Sequence, residues 1–209
     1  MEETGLSDPS LFFLLNTKFR MKKRCYIFFQ CLLLVLLLPF SFSCDDDLQN
    51  EFSRQRAFFR YPMVNNTPEL RAALNSPGMF CKITFPPKYY LFSDAYGHAT
   101  QMNRTALEAY GKPIFISGFV VGTPSIPDMG GNFFTVAYDL VCPTCYSESF
   151  ISKTLDFNNK LGTEMKCNKC GRVYDLNNDG IIKSGGEGQR MFRYRMTYSF
   201  AQGMLVIQN

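Results

Sequence analysis

The sequence predicts an all-β domain, a sandwich or barrel of short strands, with a small metal-binding part. Three observations point there. Runs of aromatic and β-branched residues recur through residues 80–208, cut by Gly, Pro, Asn and Asp. Helical signals are confined to one short segment near residue 70. Two cysteine pairs, CPTC (Cys142, Cys145) and CNKCG (Cys167, Cys170, then Gly171), sit a hairpin's length apart within residues 141–186.

Size and charge narrow the classes. A chain of 209 residues suits one ordinary domain, or one domain plus an anchor. Hydrophobic residues at 46% against 19% charged allow a packed core. The formal net charge of +4 is partly N-terminal: Lys18, Arg20, Lys22, Lys23 and Arg24 face only Glu2, Glu3 and Asp8 before Cys44. The remainder is close to balance, so nothing points to nucleic acid. The chain has one histidine, His98, which excludes a mechanism needing two.

Residues 1–43 read as a signal peptide. Lys22, Lys23 and Arg24 form a basic cluster, residues 26–40 an apolar run, and Ser41 and Ser43 supply small residues ahead of Cys44. Met21 is the more natural start, and residues 1–20 read as an early-start artefact. The run ending in Cys44 and followed by Asp45, Asp46 and Asp47 resembles a bacterial lipoprotein signal. Ser41 stands where that family commonly has leucine. The resemblance implies lipidation at Cys44, a membrane partner through that N-terminal lipid, and a place in the bacterial cell envelope. An uncleaved signal anchor is the alternative. Residues 44–62 then form a tether, and the folded domain spans residues 63–209.

Within the domain, Thr67, Pro68 and Glu69 carry cap, first-turn and dipole signals for a short helix that stops near Asn75, before Ser76, Pro77 and Gly78. Residues 80–85 and 88–92 read as strands around Pro86 and Pro87. Cys81, in the first of them, is expected to be a buried thiol. Residues 94–109 read ambiguously, with Ala95, Tyr96, Gly97 and His98 resembling a loop, and His98 reads as a surface or hydrogen-bonded residue rather than a ligand. Asn103, Arg104 and Thr105 match a glycosylation acceptor by pattern only. Residues 114–121 and 133–140 are the strongest strands, joined by a Gly/Pro-rich loop. The second runs straight into Cys142, so the first knuckle hangs from a core strand. Residues 146–166 have a hairpin texture, 172–176 and 181–183 are strands about a turn at 177–180, and 193–200 with 204–208 form a closing hairpin.

Four cysteines in two knuckles favour a tetrahedral sulfur site over disulfides or unrelated thiols. The series Asp175, Asn177, Asp179, Gly180 begins like a calcium loop, but position twelve is Gly186 and no helices flank it, so it reads as a polar turn. No nucleophile–base pair is visible, which gives a hydrolase little support.

The stretch from AYDLVCPTC through C-x-x-C-G-x-x-YDL to GG, with the final hairpin, resembles a Rieske-type iron–sulfur domain over residues 80–208. In that family two loops each supply one Cys and one His. Cys142 and Cys167 match the cysteines, and Gly171, Tyr174 and Asp175 match the second loop. Cys170 stands at the histidine position. In the first loop Thr144 stands there instead, and the next ligand is Cys145, one residue later. Arg172 replaces the usual hydroxyl residue. The resemblance implies a Rieske-like β-sandwich or barrel with a small rubredoxin- or zinc-ribbon-like subdomain. It also implies a four-cysteine [2Fe–2S] centre on Cys142, Cys145, Cys167 and Cys170, electron transfer, and a redox partner protein in the envelope. Four thiolates would lower the potential of such a centre relative to histidine ligation. The alternative is a binding or assembly module whose cysteines hold structural Zn²⁺ or a single iron. The chain is too short to add the catalytic domain of a Rieske oxygenase.

Overall fold

A computed structural model describes residues 51–209. The expected signal peptide, Cys44 and residues 45–50 of the expected tether lie outside the described residues. Among the described residues, no helix is long and apolar enough to cross a membrane.

Among the described residues, twelve strands form two antiparallel sheets. In chain order they are β1 (Phe58–Tyr61), then helix α1 (Pro68–Asn75), β2 (Met79–Thr84), β3 (Tyr89–Ser93), β4 (Ala99–Asn103) and a one-turn helix α2 (Arg104–Leu107). There follow β5 (Phe119–Thr123), β6 (Val136–Asp139), helix α3 (Pro143–Ser149), β7 (Asp156–Phe157), β8 (Glu164–Lys166), β9 (Val173–Asp175), β10 (Ile181–Ser184), β11 (Arg193–Ser199) and β12 (Met204–Gln208). The larger sheet is a curled half-barrel in the order β1-β12-β11-β6-β5-β2-β3-β4, and the smaller has the order β10-β9-β8-β7. The all-β class with a cysteine-bearing subdomain is thus what the chain adopts.

The core follows from alternation along the central strands. Cys81, Ile83, Phe119, Val121 and Ala137 point to one face and join Phe59, Tyr61, Tyr90, Phe92 and Tyr194 in an aromatic core. Phe59 alone packs against four other rings, including Tyr90 edge-on and Phe119 stacked. Phe80, Val120, Val136, Tyr138 and Leu140 point to the opposite face, where Leu155, Met165, Tyr174, Leu176 and the cysteines cover them. Every residue of β5 and β6 is therefore buried. That is why both read as near-continuous apolar runs rather than alternating ones. Cys81 is a buried free thiol, as its strand suggested, and burial raises its pKa well above the usual thiol value.

Three expectations about local structure are corrected. The expected tether of residues 44–62 ends in a strand. Phe58–Tyr61 pair with β12 from Phe58↔Gln208 to Tyr61↔Leu205, because Phe59 and Tyr61 bury their rings in the aromatic core. The strand expected over 114–121 starts only at Phe119. Gly118 has φ +125°, and a Cβ there would meet the Ile83 carbonyl oxygen at 2.6 Å, so the extended run breaks and Ile114 keeps only a lone bridge to Phe58. The connector of residues 146–166 begins as helix α3 rather than as a hairpin. Pro143 fits its first turn, and Phe150 closes it in a left-handed conformation (φ 52°) with its N–H on the Tyr146 carbonyl at 2.8 Å. The hairpin β7–β8 follows after it.

Candidate metal centre

The two knuckles come from different sheets and meet between them. β6 ends at Asp139, and Leu140 and Val141 lead into Cys142, whose N–H donates to the Lys153 carbonyl at 2.7 Å. α3 starts at the next residue and carries Cys145 back over the same spot. The second knuckle closes the β8–β9 connection. Cys167 N–H bonds the Arg172 carbonyl and Gly171 N–H bonds the Cys167 carbonyl, both at 2.9 Å. Gly171 has φ +76°, the left-handed turn that lets Cys167 and Cys170 face one point.

All four Sγ atoms lie within 4.8 Å of one another. Two close approaches cross between the knuckles: Cys142 to Cys170 at 3.7 Å and Cys145 to Cys167 at 3.9 Å. Cys142, Cys145 and Cys167 are buried and Cys170 is half-buried. All four are free thiols. The sulfur set predicted from the sequence is therefore brought together as one buried group that could hold a metal. A Zn–S bond of about 2.3 Å in a tetrahedron sets an S···S edge of about 3.8 Å, a length matched by the 3.7 and 3.9 Å approaches.

Electrostatics differ across the four sulfurs. Burial pushes the Cys145 thiol well up, and its neighbours Cys142 and Cys170 add to the rise. Burial also raises Cys142, against hydrogen bonds from the Tyr174 hydroxyl and the Cys145 N–H. At Cys170 burial again pushes upward, but the Arg172 N–H and guanidinium, with Cys167 and Cys142, outweigh it and hold the thiol at about 6. The exposed corner of the group thus favours thiolate, the form that ligates. Arg172 is itself fixed by its Nε donating to the Glu187 carbonyl at 2.9 Å.

Several residues with no role assigned from the sequence support this group. The Tyr174 hydroxyl lies 3.3 Å from Cys142 Sγ and 3.4 Å from Thr144 Oγ1, joining the second-loop strand to the first knuckle. Thr144, which was not expected to ligate, is buried with its hydroxyl on Tyr174 and is no member of the sulfur group. Asp139 is fully buried. Its Oδ1 accepts the N–H groups of Val141 (2.8 Å) and Ser117 (3.2 Å), and its Oδ2 accepts Ile116 N–H (3.0 Å) and the Tyr194 hydroxyl (3.2 Å). One carboxylate thereby ties the strand end that carries Cys142 to the segment before β5. The one sequence signal for it was an acid inside an otherwise apolar strand.

The remaining sequence candidates lie away from the sulfurs. Asp175, Asn177 and Asp179 spend their oxygens on protein donors: Asp175 on Asn177 N–H, Asn177 on Ser125 N–H, and Asp179 on Arg190 and Arg193. They form a polar turn, as expected. His98 is exposed, and its Nδ1–H donates to the Asp94 carboxylate at 2.7 Å. That hydrogen bond and the Asp94 charge raise its pKa. Because it is the single histidine, its imidazole signal in a proton NMR titration is unambiguous. Its midpoint is expected above the usual histidine range and should fall back in Asp94→Asn. An unmoved midpoint in that variant would contradict the pairing.

No protein-family model matches the chain, and no curated protein matches it.

Proposed function

We propose that this chain is a cell-envelope lipoprotein module built on a Rieske-like frame, in which Cys142, Cys145, Cys167 and Cys170 clasp one structural metal ion, zinc before iron. The observation that carries this is the sulfur spacing. Edges of 3.7 and 3.9 Å and a largest separation of 4.8 Å suit one ion at the centre of a tetrahedron. A [2Fe–2S] cluster holds its two thiolate pairs on different irons across bridging sulfides, so its cysteine sulfurs spread beyond a tetrahedral edge. The Rieske-like frame is supported by the meeting of a strand-borne first loop and a second loop of the form CxxCGxxYD, linked by Tyr174 and Cys142.

A bound ion here would supply a cross-link between the two sheets. The protein's own residues orient the ligands: Asp139 sets the first knuckle, Gly171 turns the second, and Arg172 keeps Cys170 deprotonated. Lipidation at Cys44 and the envelope location belong to this proposal on the strength of the signal-like N-terminus alone.

Metal analysis of chain purified without air tests the reading. One zinc per chain in a colourless protein is the expected result. Two irons with matching labile sulfide and strong visible absorption would sink it and favour electron transfer through a [2Fe–2S] centre instead.

A further inference from the structure

Outside the metal-binding part, Tyr96 and Phe200 are exposed singly, whereas Ile126, Met129, Phe133 and Phe134 are exposed together on one loop, residues 124–135, between β5 and β6. Ile126 is 57% and Phe133 52% exposed, and Met129 projects fully into solvent at the tip. The tip is held in shape. Asp128 Oδ1 accepts the N–H groups of Gly130 and Asn132 at 2.8 Å, and Asp128 N–H donates to the Asn132 carbonyl at 2.9 Å. The loop's acid is therefore turned inward onto its own backbone, and the apolar residues are presented without a large ordering cost. Apolar surface displayed this way on a preorganised loop marks a contact.

Its position names the contact. The base of the loop touches the point where the described chain begins. The Arg193 guanidinium lies over both Phe134 and Phe52, at 5.6 and 5.5 Å from the ring centres. Arg193 also pairs with Glu51 at 2.8 Å. Cys44 stands seven positions before Glu51, a length that spans no more than about 25 Å even when fully extended. The exposed residues Arg54 and Arg195 flank Phe52 around one open hollow, with the Arg195 guanidinium 4.9 Å from the Phe52 ring centre. Glu51 lines the same hollow and is paired with Arg193, which leaves Arg54 and Arg195 as basic side chains near the base of the apolar loop, where they suit anionic headgroups above an acyl boundary.

We propose that the 124–135 loop is a second membrane contact, inserting Met129, Ile126 and Phe133 into the bilayer interface beside the lipidated N-terminus. It rests on the lipid-anchor reading above. With both contacts made, the domain is held against the surface in one orientation. Neither contact alone fixes that orientation.

The chain has no tryptophan, so Met129→Trp makes the tip the sole indole reporter. The full-length acylated variant is placed in vesicles of phosphatidylethanolamine and phosphatidylglycerol, with and without brominated acyl chains. Blue-shifted emission and a severalfold loss of intensity on brominated lipid are expected. Ile126→Trp, on the same loop, gives an independent second reading. Water-like, unquenched emission from chain that resists carbonate extraction overturns the loop contact and leaves the anchor standing. A blue shift without bromolipid quenching assigns the tip to a second copy or another protein, and also overturns it. Chain released by carbonate overturns the anchor reading and this proposal together.

Discussion

A chain carrying Cys142→Ser and Cys170→Ser is expected to purify without its metal and to lose at least about 4 kcal/mol of stability. Metal-binding free energies of structural zinc sites in small peptides are about 10–16 kcal/mol, because nothing else folds them. Here the half-barrel has its own aromatic core, so only part of that energy shows in the melt. For a domain of this size the loss lowers the melting temperature by about 8–16 °C. The damage should be local. The smaller sheet has strands of only two to four residues, and its core shares its buried residues with the cysteines themselves. Amides of β7 to β10 should exchange freely while those of β2, β5 and β6 stay protected. A double variant that melts with the parent, with protection unchanged across both sheets, would show that the cysteines clasp nothing.

The same experiment has a pH arm. Ligation requires thiolates, so metal affinity falls as pH falls. The buried Cys145 thiol, whose pKa is pushed up by burial, must give up a tightly held proton to ligate. Cys170, held at about 6, has given up most of its proton at neutral pH. Metal loss on acidification should therefore begin well above the pH at which exposed carboxylates protonate.

What the sequence made legible and what it hid divide along a physical line. The cysteine knuckles are local: spacing, Pro143 and Gly171 all lie within a few residues of the ligands, so the four-sulfur group was readable before any fold was known. β5 and β6 were readable as strands because burial on both faces leaves an unbroken apolar run. Their ends were not, because a single positive φ at Gly118 decides where pairing starts. β4 fell in a stretch that read ambiguously because it is an edge strand with none of its residues buried, so it carries no hydrophobic alternation. β1 was hidden in a polar stretch because its partner, β12, lies at the far end of the chain. The support of the site was least visible. Asp139 reaches Ile116, Ser117 and Tyr194, none of them near it in sequence. No local pattern announces such a contact.

Asp139 is accordingly where a change remote from the sulfurs should cost most. Asp139→Ala leaves the N–H groups of Ile116, Ser117 and Val141 without their acceptor, in a place that is closed to water on the Asp139 side. Each orphaned buried donor costs about 1–3 kcal/mol, and with partial relaxation the total is expected at about 3–5 kcal/mol. Asp139→Asn keeps one accepting oxygen and turns two amide hydrogens toward groups that are themselves donors, so it should fall between parent and alanine. The deficit should vary with pH. Burial raises the folded-state pKa of Asp139 above the ordinary carboxylate value, although the three N–H groups and the Tyr194 hydroxyl pull the other way. An acid whose folded pKa exceeds its unfolded one binds more protons folded than unfolded, so its contribution to stability declines as pH rises between the two values. Neither variant has that slope. The alanine and asparagine deficits, read from urea melts, should be largest at acid pH and shrink as pH rises through the Asp139 midpoint. A deficit that grows with pH would mean that the four donors win over burial and hold the carboxylate ionised. In both variants metal should dissociate faster than from the parent, because Val141 no longer fixes the approach to Cys142. Unchanged metal retention would confine Asp139 to the fold and remove it from the site.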